Sequence, residues 1–188
     1  MPRERFLQRK SAVLSKLDKS SAGKWDKRIA SLCDKINSKE QFYTTSSCSG
    51  RIILMLDKEK KAPGLFLKIW HEQISFEELK KSLKELSSKK DLIKFKLEPP
   101  IIHVACRELE GASELLGKGI SVGFKRSGLL SAGRNTVLEL NSTERLEFPI
   151  LNNGKILVDD NFLKLVMEQA NEKLKRGWLR IEKLRKII

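Results

Sequence analysis

A block of small polar residues that leads directly into an apolar run constrains this chain most. Residues 44–49 are six consecutive Thr, Ser and Cys residues, and Gly50 and Arg51 separate them from the apolar residues 52–56. A short aliphatic run of this kind is typical of a strand buried on both faces. We therefore interpret the polar block as a turn that bends into a buried strand.

The composition of this turn also makes it a candidate ligand site. Small side chains let backbone amides approach a ligand, and their hydroxyls donate and accept hydrogen bonds. Arg51 adds a fixed cation that suits a carboxylate or a phosphate. The alternative is an ordinary polar turn, which is common, but such a turn does not need so many hydroxyls beside a thiol and a guanidinium.

The size and composition predict a globular protein with one core. A chain of 188 residues can form a single compact domain over 1–188, or two closely packed lobes. No window approaches the roughly 18 apolar residues of a membrane helix, and the first residues lack the apolar core of a secretion signal. Three cysteines without metal-like spacing predict free thiols, no metal site and a cytoplasmic location.

The charge of the chain favours a polyanionic partner. The sequence holds 38 Lys and Arg against 24 Asp and Glu, a net charge of +14. Residues 1–40 hold eleven of these cations against five acids, and residues 161–188 hold eight against three. Both ends are predicted to be helical, so we expect a basic face built from the termini that binds nucleic acid. The alternative is a basic surface that only confers solubility.

Hydrophobic periodicity predicts an α+β fold. Helices are predicted over 3–17, 24–37, 75–86 and 108–116, and from residue 160 to the end. Strands are predicted over 52–56, 65–70, 92–97, 101–106, 136–140, 146–151 and 155–158. Hairpins outnumber βαβ units, so we expect a compact mixed or antiparallel sheet with flanking helices.

Several short signals mark where these elements begin and end. Residues 18–23 are predicted to break the chain after the first helix, and Trp25 is predicted to begin the buried stripe of the second. Asp26 lies off that stripe and is freer to act. Ser75 with Glu78 forms a capping box. The dipeptide at 153–154, Asn-Gly, is the strongest hairpin signal in the sequence.

The common nucleotide-binding motifs are absent. No G-x-G-x-x-G follows the first strand and no G-x-x-x-x-G-K-[ST] occurs anywhere, so neither a standard dinucleotide-binding fold nor a P-loop ATPase is supported. No H-E-x-x-H occurs either, and two histidines are too few for most metal centres. An enzymatic site would have to use the polar block and a few scattered polar groups.

The two histidines lie in different contexts. His71 follows an apolar strand, where a surface position is the simpler interpretation. His103 lies within an apolar strand, where it either is a hydrogen-bonded core residue or presents its ring to a groove. Strand alternation places His103 with Ala105 on one face and Val104 with Cys106 on the other, so His103 and Cys106 are not expected to form a dyad.

A second Gly-rich and basic cluster occupies residues 123–128. Its Lys125, Arg126 and Ser127, together with backbone N–H groups, suit phosphate contacts. A flexible turn before a strand explains the same residues equally well.

Several segments, taken together and in their order along the chain, resemble the wybutosine-synthesis methyltransferase family. The segments are FYTTSSCSGRII at 42–53, FKLEPPIIHVACR at 95–107, GFKRSGL at 123–129, and shorter matches at 157–158, 170–173 and 180–182. Asp18, Gly23 and Asp26 extend the resemblance towards the N-terminus. The Ser-Cys-Ser-Gly-Arg block is the specific part, since the other segments alone would be weak.

The resemblance implies a cytoplasmic enzyme that uses S-adenosylmethionine. Family members methylate a ring nitrogen of a tricyclic guanine derivative beside the anticodon of phenylalanine tRNA. Their fold differs from the doubly wound methyltransferases. The chain lacks the acidic tail of eukaryotic members and therefore looks archaeal. Neither the physiological wyosine intermediate nor the oligomeric state follows from the sequence.

The resemblance also suggests roles for individual residues. The expected cofactor-binding residues are Ser46, Ser47, Cys48, Ser49, Gly50 and Arg51. The candidate catalytic residues are His71, His103 and Asp26, of which either histidine could take the proton that the nitrogen sheds. The expected substrate-binding residues are Tyr43, Trp70, Lys125, Arg126 and Ser127, with Phe124 as a further stacking platform.

Two other functions fit the same sequence. One is a non-enzymatic RNA-binding module in which the polar block cradles phosphate. The other is a structural basic protein of a ribonucleoprotein, in which the block is only a turn. Affinity for S-adenosylhomocysteine would separate the enzyme from both.

Overall fold

The computed structural model describes residues 2–15, 26–58, 63–133 and 136–188. The predicted break at 18–23, with Asp18 and Gly23, and the stripe position Trp25 lie outside the described residues. The chain divides into two compact units. Unit 1 comprises Met1–Ser49, Pro100–Thr143 and Gly177–Ile188, and unit 2 comprises Gly50–Pro99 and Glu144–Arg176.

The described residues form five α-helices and nine strands. The helices are α1 (Arg3–Leu14), α2 (Lys27–Ser38), α3 (Phe76–Glu85), α4 (Leu109–Ser121) and α5 (Asp160–Ile187). The strands are β1 (Phe42–Cys48), β2 (Arg51–Leu56), β3 (Phe66–Trp70), β4 (Ile93–Glu98), β5 (Ile101–Cys106), β6 (Gly128–Ser131), β7 (Thr136–Asn141), β8 (Leu146–Asn152) and β9 (Lys155–Ile156).

Unit 1 is built on a four-stranded antiparallel sheet in the order β1-β5-β7-β6. The register of β1 against β5 shifts between Thr44, which pairs with Val104, and Ser46, which pairs with His103. Thr45 is therefore the extra residue of a β-bulge. Because partners in an antiparallel pair point to the same side, the bulge places Thr44 and Ser46 on opposite faces.

Helix α2 covers one face of this sheet, which we call the helix-covered face. The Sγ of Cys33 donates to the Oγ of Ser47 at 3.2 Å, and the Oδ1 of Asn37 accepts from the backbone N–H of Thr44 at 2.7 Å. On the other face, the ring of Phe6 from α1 packs against Tyr43 with 5.1 Å between ring centroids.

Unit 2 is built on a five-stranded antiparallel sheet in the order β3-β2-β4-β8-β9. Consecutive residues Ile52, Ile53 and Leu54 of β2 are all fully buried, which confirms the prediction of a strand buried on both faces. On β4 the side chain of Phe95 stacks on Phe148 of the neighbouring β8 at 5.3 Å between centroids. Burial of such aromatic and aliphatic side chains supplies most of the stabilisation of this unit.

Two local signals act as predicted. The Oγ of Ser75 accepts from the backbone N–H of Glu78 at 3.1 Å, which caps α3. Asn153 and Gly154 both adopt positive φ, 47° and 75°, as a two-residue hairpin turn requires.

The α+β prediction is confirmed, since every pairing between described strands is antiparallel and helices flank the sheets. The sheets are two rather than one. The interpretation of residues 44–49 as a turn is wrong, because residues 44–48 belong to β1 and pair with β5. Strand β6 was not predicted. That residues 1–188 form one compact domain or two packed lobes stays a prediction. No helix in the described ranges is long and apolar enough to span a membrane.

Candidate functional site

Three polar side chains from neighbouring strands of unit 1 form a row across the sheet. Ser46 of β1 pairs in register with His103 of β5, which pairs in register with Glu139 of β7. The Nε2 of His103 lies 2.9 Å from the Oε2 of Glu139. The side chains of this histidine and glutamate are 25% and 23% exposed, and Ser46 is exposed. We call Ser46, His103 and Glu139 the polar row.

Asn141 holds the end of this row. Its Nδ2 donates to the Oε1 of Glu139 at 3.2 Å, while its Oδ1 is buried without a hydrogen bond to any described residue. An ionised carboxylate can only accept, so this bond fixes the orientation of the amide. Glu139 is therefore hydrogen-bonded through both of its oxygens, one to a ring nitrogen and one to an amide.

The turn before β6 brings two exposed cations next to Asn141. The backbone N–H of Arg126 donates to the carbonyl of Asn141 at 3.0 Å, and both Lys125 and Arg126 are exposed. The hydroxyl of Ser127 accepts from the backbone N–H of Asn141 at 3.0 Å and donates to the carbonyl of Phe124 at 2.6 Å. The hydroxyl of Ser127 thus fixes the turn, and the ring of Phe124 is fully buried.

Asp26 binds the last residue of the polar block. Its Oδ2 accepts from the backbone N–H of Ser49 at 2.9 Å and from the Oγ of Ser49 at 3.0 Å. Ser49 is fully buried. Asp26 also precedes α2, and its backbone carbonyl accepts from the N–H of Ile29 and of Ala30. The carboxylate of Asp26 thus holds Ser49, and a catalytic role for Asp26 stays a prediction.

The other residues of the polar block divide between the two faces of β1. Ser47 lies on the helix-covered face, where it accepts from Cys33, and Cys48 is half-buried. Tyr43 is only 4% exposed and packs in a cluster with Phe6 and Ala105. A stacking role for Tyr43 would require this cluster to open.

The thiol of Cys106 lies on the face opposite to His103, as strand alternation predicted. It is buried, and its Sγ lies 3.7 Å from the carbonyl of Val104. Burial raises the pKa of this thiol to about 12, because the thiolate would lose its hydration. Cys106 is therefore a packing residue rather than a nucleophile.

In unit 2, Arg51 is held by a carboxylate of the neighbouring strand. Its Nε donates to the Oε2 of Glu98 at 2.7 Å, and its guanidinium carbon lies 5.0 Å from the centre of the Phe66 ring. Its Nη nitrogens make no hydrogen bond to a described residue, and its side chain is 27% exposed. Gly50, the residue before β2, is buried with a φ of 98°, a value that favours glycine.

The ionisation of Glu98 reflects two opposing effects. Burial raises the pKa of this carboxyl, but attraction to Arg51 and the hydrogen bonds from Arg51 and Lys96 lower it by more, so the net pKa lies below its usual range. The Nζ of Lys96 lies 3.3 Å from the second oxygen of Glu98. Glu98 is thus a fixed anion that orients Arg51.

Trp70 and His71 lie at the end of β3 in the same unit. The Nε1 of Trp70 donates to the Oε1 of Glu78 at 2.7 Å. This bond fixes the edge of the indole, and both residues are half-buried. A stacking role for Trp70 and a catalytic role for His71 stay predictions.

Helix α2 and the last residues of α5 meet within unit 1, and the basic face expected from the two ends of the chain stays a prediction. The guanidinium of Arg28 lies 3.8 Å from the ring centre of Trp178, and the Nζ of Lys35 donates to the carbonyl of Arg185 at 2.7 Å. Unit 1 holds 20 Lys and Arg against ten Asp and Glu, whereas unit 2 holds 18 against 14. The excess of positive charge is therefore concentrated in unit 1.

The structure brings some predicted residues together and adds others. Ser46 and His103 share the polar row, and Lys125 and Arg126 lie beside its end. Glu139, Asn141 and Glu98 were not predicted. The signal for Glu139 and Asn141 was present, since β7 alternates buried Leu138 and Leu140 with polar side chains.

Comparisons with known proteins give one consistent result. The model of the family described as Methyltransferase TYW3 matches residues 8–188. An Archaeoglobus fulgidus protein named tRNA(Phe) 7-((3-amino-3-carboxypropyl)-4-demethylwyosine(37)-N(4))-methyltransferase is 39% identical over 96% of this chain and 91% of its own length. A Bos taurus protein named tRNA wybutosine-synthesizing protein 3 homolog is 35% identical over 95% of this chain and 70% of its own length.

A solved structure agrees with the sequence relatives. A protein from Pyrococcus horikoshii superposes with a TM-score of 0.88 at 32% identity and covers 98% of this chain and 94% of its own. The match therefore extends over nearly the whole chain in both sequence and fold, and nothing in it favours a non-enzymatic RNA-binding module. The chain belongs to the Methyltransferase TYW3 family.

Proposed function

We propose that this protein transfers a methyl group from S-adenosylmethionine to N4 of a 7-(3-amino-3-carboxypropyl)-4-demethylwyosine at position 37 of tRNA(Phe). One observation carries the proposal. Archaeal relatives named for this reaction match this chain at 36–39% identity over more than nine-tenths of its length. Fold alone would not fix the chemistry, but similarity at this level along both whole chains is specific.

Among the described residues, Arg51 suits the carboxylate end of the methyl donor. S-adenosylmethionine supplies an electrophilic methyl group on a sulfonium. Arg51, held through Nε by Glu98, keeps the planar Nη donors that suit a carboxylate. Arg51 would hold that carboxylate, or an RNA phosphate. The other residues of the polar block stay candidates for the remainder of the donor or for the base.

The residues of this chain mainly have to bind and align the reactants. Alignment of a nucleophile with its electrophile can lower a barrier by about 7–11 kcal/mol at best. The polar row offers a hydroxyl, an imidazole and a carboxylate to a heterocyclic base. His103 or His71 takes the proton that the ring nitrogen loses.

The tRNA is bound through the charge of unit 1. Lys125 and Arg126 are exposed on a turn whose backbone is fixed to β7, so they can contact phosphates without ordering a flexible loop. The basic ends of the chain extend the same surface charge. The cysteines Cys33, Cys48 and Cys106 are thiols, which fits a cytoplasmic enzyme, and the archaeal relatives fit an archaeal source.

One experiment tests the proposal directly. Purified protein is incubated with methyl-labelled S-adenosylmethionine and tRNA from a strain that lacks this step, and the nucleosides are analysed by mass spectrometry. We expect one methyl group on the tricyclic base at position 37. Binding of S-adenosylhomocysteine, measured by calorimetry, is expected as well. RNA binding without methyl transfer and without affinity for S-adenosylhomocysteine would support the non-enzymatic alternative instead.

A further inference from the structure

We propose that Glu139 is a positioning residue, and that it fixes His103 so that the Nδ1 of this histidine accepts the proton lost by the methylated nitrogen. The inference rests on the proposed function and deepens it, because it chooses one of the two candidate histidines and adds a residue that sequence reasoning missed.

The hydrogen bond between the two residues determines the tautomer of the imidazole. An ionised carboxylate has no proton to donate, so the Nε2 of His103 must be the donor in the 2.9 Å contact with Glu139. In the neutral ring the lone pair is then on Nδ1. No described residue hydrogen-bonds to Nδ1. The second ring nitrogen is therefore an acceptor left for another group.

The carboxylate that fixes the imidazole is itself fixed. Asn141 binds the other oxygen of Glu139, and the backbone of Asn141 is bonded on both sides, by the N–H of Arg126 and by the hydroxyl of Ser127. A side chain held in this way loses little entropy when a ligand binds. A half-buried carboxylate and imidazole are costly to desolvate if they serve only packing, which favours a functional role.

The position of the row suits a heterocyclic base. Ser46, the next residue in register, is exposed and comes from the polar block, and Lys125 and Arg126 follow the other end. A base lying across β1 and β5 would meet a hydroxyl and Nδ1 together. Its tRNA backbone would then lie within reach of the exposed cations.

The proton transfer balances without any further reactant. As the bond from N4 to the methyl carbon forms, the methyl–sulfur bond breaks and its electron pair stays on the neutral sulfur of S-adenosylhomocysteine. The N4–H bond breaks, and its proton moves to the Nδ1 of His103. The resulting imidazolium faces the carboxylate of Glu139 and later releases the proton to solvent. Glu139 itself stays ionised throughout.

The tautomer can be measured without any activity. The chain has two histidines, so ¹⁵N spectra of ring-labelled protein contain two imidazoles, and a His71→Gln variant assigns them. We expect His103 to carry its proton on Nε2 in the free protein. Glu139→Leu, which removes the acceptor, is expected to give a mixture of both tautomers. A protein whose His103 carries its proton on Nδ1 would overturn the inference.

Kinetics tests the role of the pair. His103→Ala is expected to lower kcat by about 100-fold or more with little change in the KM for tRNA. Imidazole added to this variant should restore part of the rate, which a merely structural role would not allow. Glu139→Gln, which keeps an acceptor without the charge, should lie between the wild type and Glu139→Leu. Glu114→Leu, an exposed member of an ion pair with Lys118, is the matched control and should keep full activity.

The outcomes separate this inference from the proposed function. If the wild type does not methylate its tRNA, the proposed function fails and this assignment fails with it. If the wild type is active and folded His103→Ala keeps its kcat, or gains nothing from imidazole, only the assignment fails. Equal kcat values for Glu139→Gln, Glu139→Leu and the wild type would rule out the positioning role of Glu139 without affecting the role of His103. Circular dichroism of each variant confirms that it is folded. If Glu139→Leu does not fold, Glu139→Gln takes its place in the comparison with the wild type.

Discussion

Asp26 accepts two hydrogen bonds from the single residue Ser49, one from its backbone N–H and one from its hydroxyl. A hydrogen bond to a charged group contributes about 1.5–3 kcal/mol to the stability of a folded protein. Ser49 is also fully buried, so water cannot replace this partner. This pair therefore fixes the end of the polar block against the start of α2.

Replacing Asp26 by Ala should destabilise the protein by about 2 kcal/mol, because two donors of Ser49 lose their partner. Urea unfolding monitored by circular dichroism measures the change. Asp34→Ala, an exposed position on α2, is the matched control and should change the free energy of unfolding by less than about 0.5 kcal/mol. Equal effects of the two variants would contradict the prediction.

Replacing Arg51 by Ala should abolish methyl transfer while the protein stays folded. Arg51→Lys should not restore the activity. The guanidinium can bind Glu98 through Nε and a ligand carboxylate through its planar Nη donors at the same time, and an ammonium cannot. Methyl incorporation into tRNA is the measurement. Lys58→Ala, which breaks an exposed ion pair with Asp91 in the same unit, is the control and should remain active. Full activity of Arg51→Ala would remove this residue from the site.

The same substitution should change the acid stability of the protein. The pKa of Glu98 is below its usual range in the folded protein, so its ion pair stabilises the fold above the unfolded pKa near 4.5, and this contribution is lost as pH falls through the folded pKa. Arg51→Ala removes the guanidinium that lowers the pKa of Glu98, so the variant loses most of this stabilisation. The difference in unfolding free energy between wild type and Arg51→Ala should therefore be larger at pH 7 than at pH 3. A difference that does not depend on pH would argue against the ion pair.

Replacing both Lys125 and Arg126 by Ala should weaken tRNA binding and flatten its salt dependence. Each phosphate contact that is lost should reduce the slope of log K against log[salt] by about one. Filter binding at several salt concentrations measures this slope. Lys118→Ala removes a cation from α4 that is already paired with Glu114, and it should leave the slope unchanged. If the double variant keeps the slope of the wild type, the turn is not on the path of the RNA.

The three cysteines should differ in reactivity towards iodoacetamide at pH 8. Cys48 is half-buried and should react in the folded protein, whereas Cys33 and Cys106 are buried and should react only after unfolding. The pKa of Cys106 is about 12, above its ordinary value of 9.0, so folding keeps the thiol protonated where the unfolded chain would ionise. Its contribution to stability is complete below pH 9 and is lost as pH rises towards 12. Mass spectrometry of the labelled peptides is the test, and early modification of Cys106 would contradict it.

Gly177 of α5 should not tolerate alanine. A Cβ at this position would lie 2.8 Å from two ring carbons of Pro100, which cannot rotate away, so Gly177→Ala should cost about 1–3 kcal/mol. Gly117 of α4 has no atom within 4 Å of such a Cβ, and Gly117→Ala should stabilise the helix by about 1 kcal/mol. Thermal unfolding of both variants measures these changes. A Gly177→Ala variant that is more stable than the wild type would contradict the close contact with Pro100.

Much of the fold follows from local rules that the sequence displays. Ser75 caps its helix and Asn153-Gly154 forms its hairpin, because each needs only its immediate neighbours. The strand at 44–48 could not be predicted in this way. Its small polar residues favour turns on their own, and only pairing with β5 and hydrogen bonds to α2 make them extended.

The candidate site shows the same limit. The face on which His103 lies followed from alternation along one strand. Its partner Glu139 did not follow, because the two residues lie 36 positions apart and meet only through the order of the strands. Similarly, Arg51 was expected to be available to a ligand, and its bond to Glu98 depends on the register of β2 against β4.

The β-bulge at Thr45 determines which side chain reaches the polar row. If Thr45 continued the regular pairing instead of bulging, it would lie opposite His103, and Ser46 would pair with Ile102 on the helix-covered face. The bulge therefore decides which hydroxyl of the polar block lies beside the imidazole of His103, although it changes no residue type. It places a serine there rather than a threonine, and it leaves Ser47 to bind Cys33 of α2.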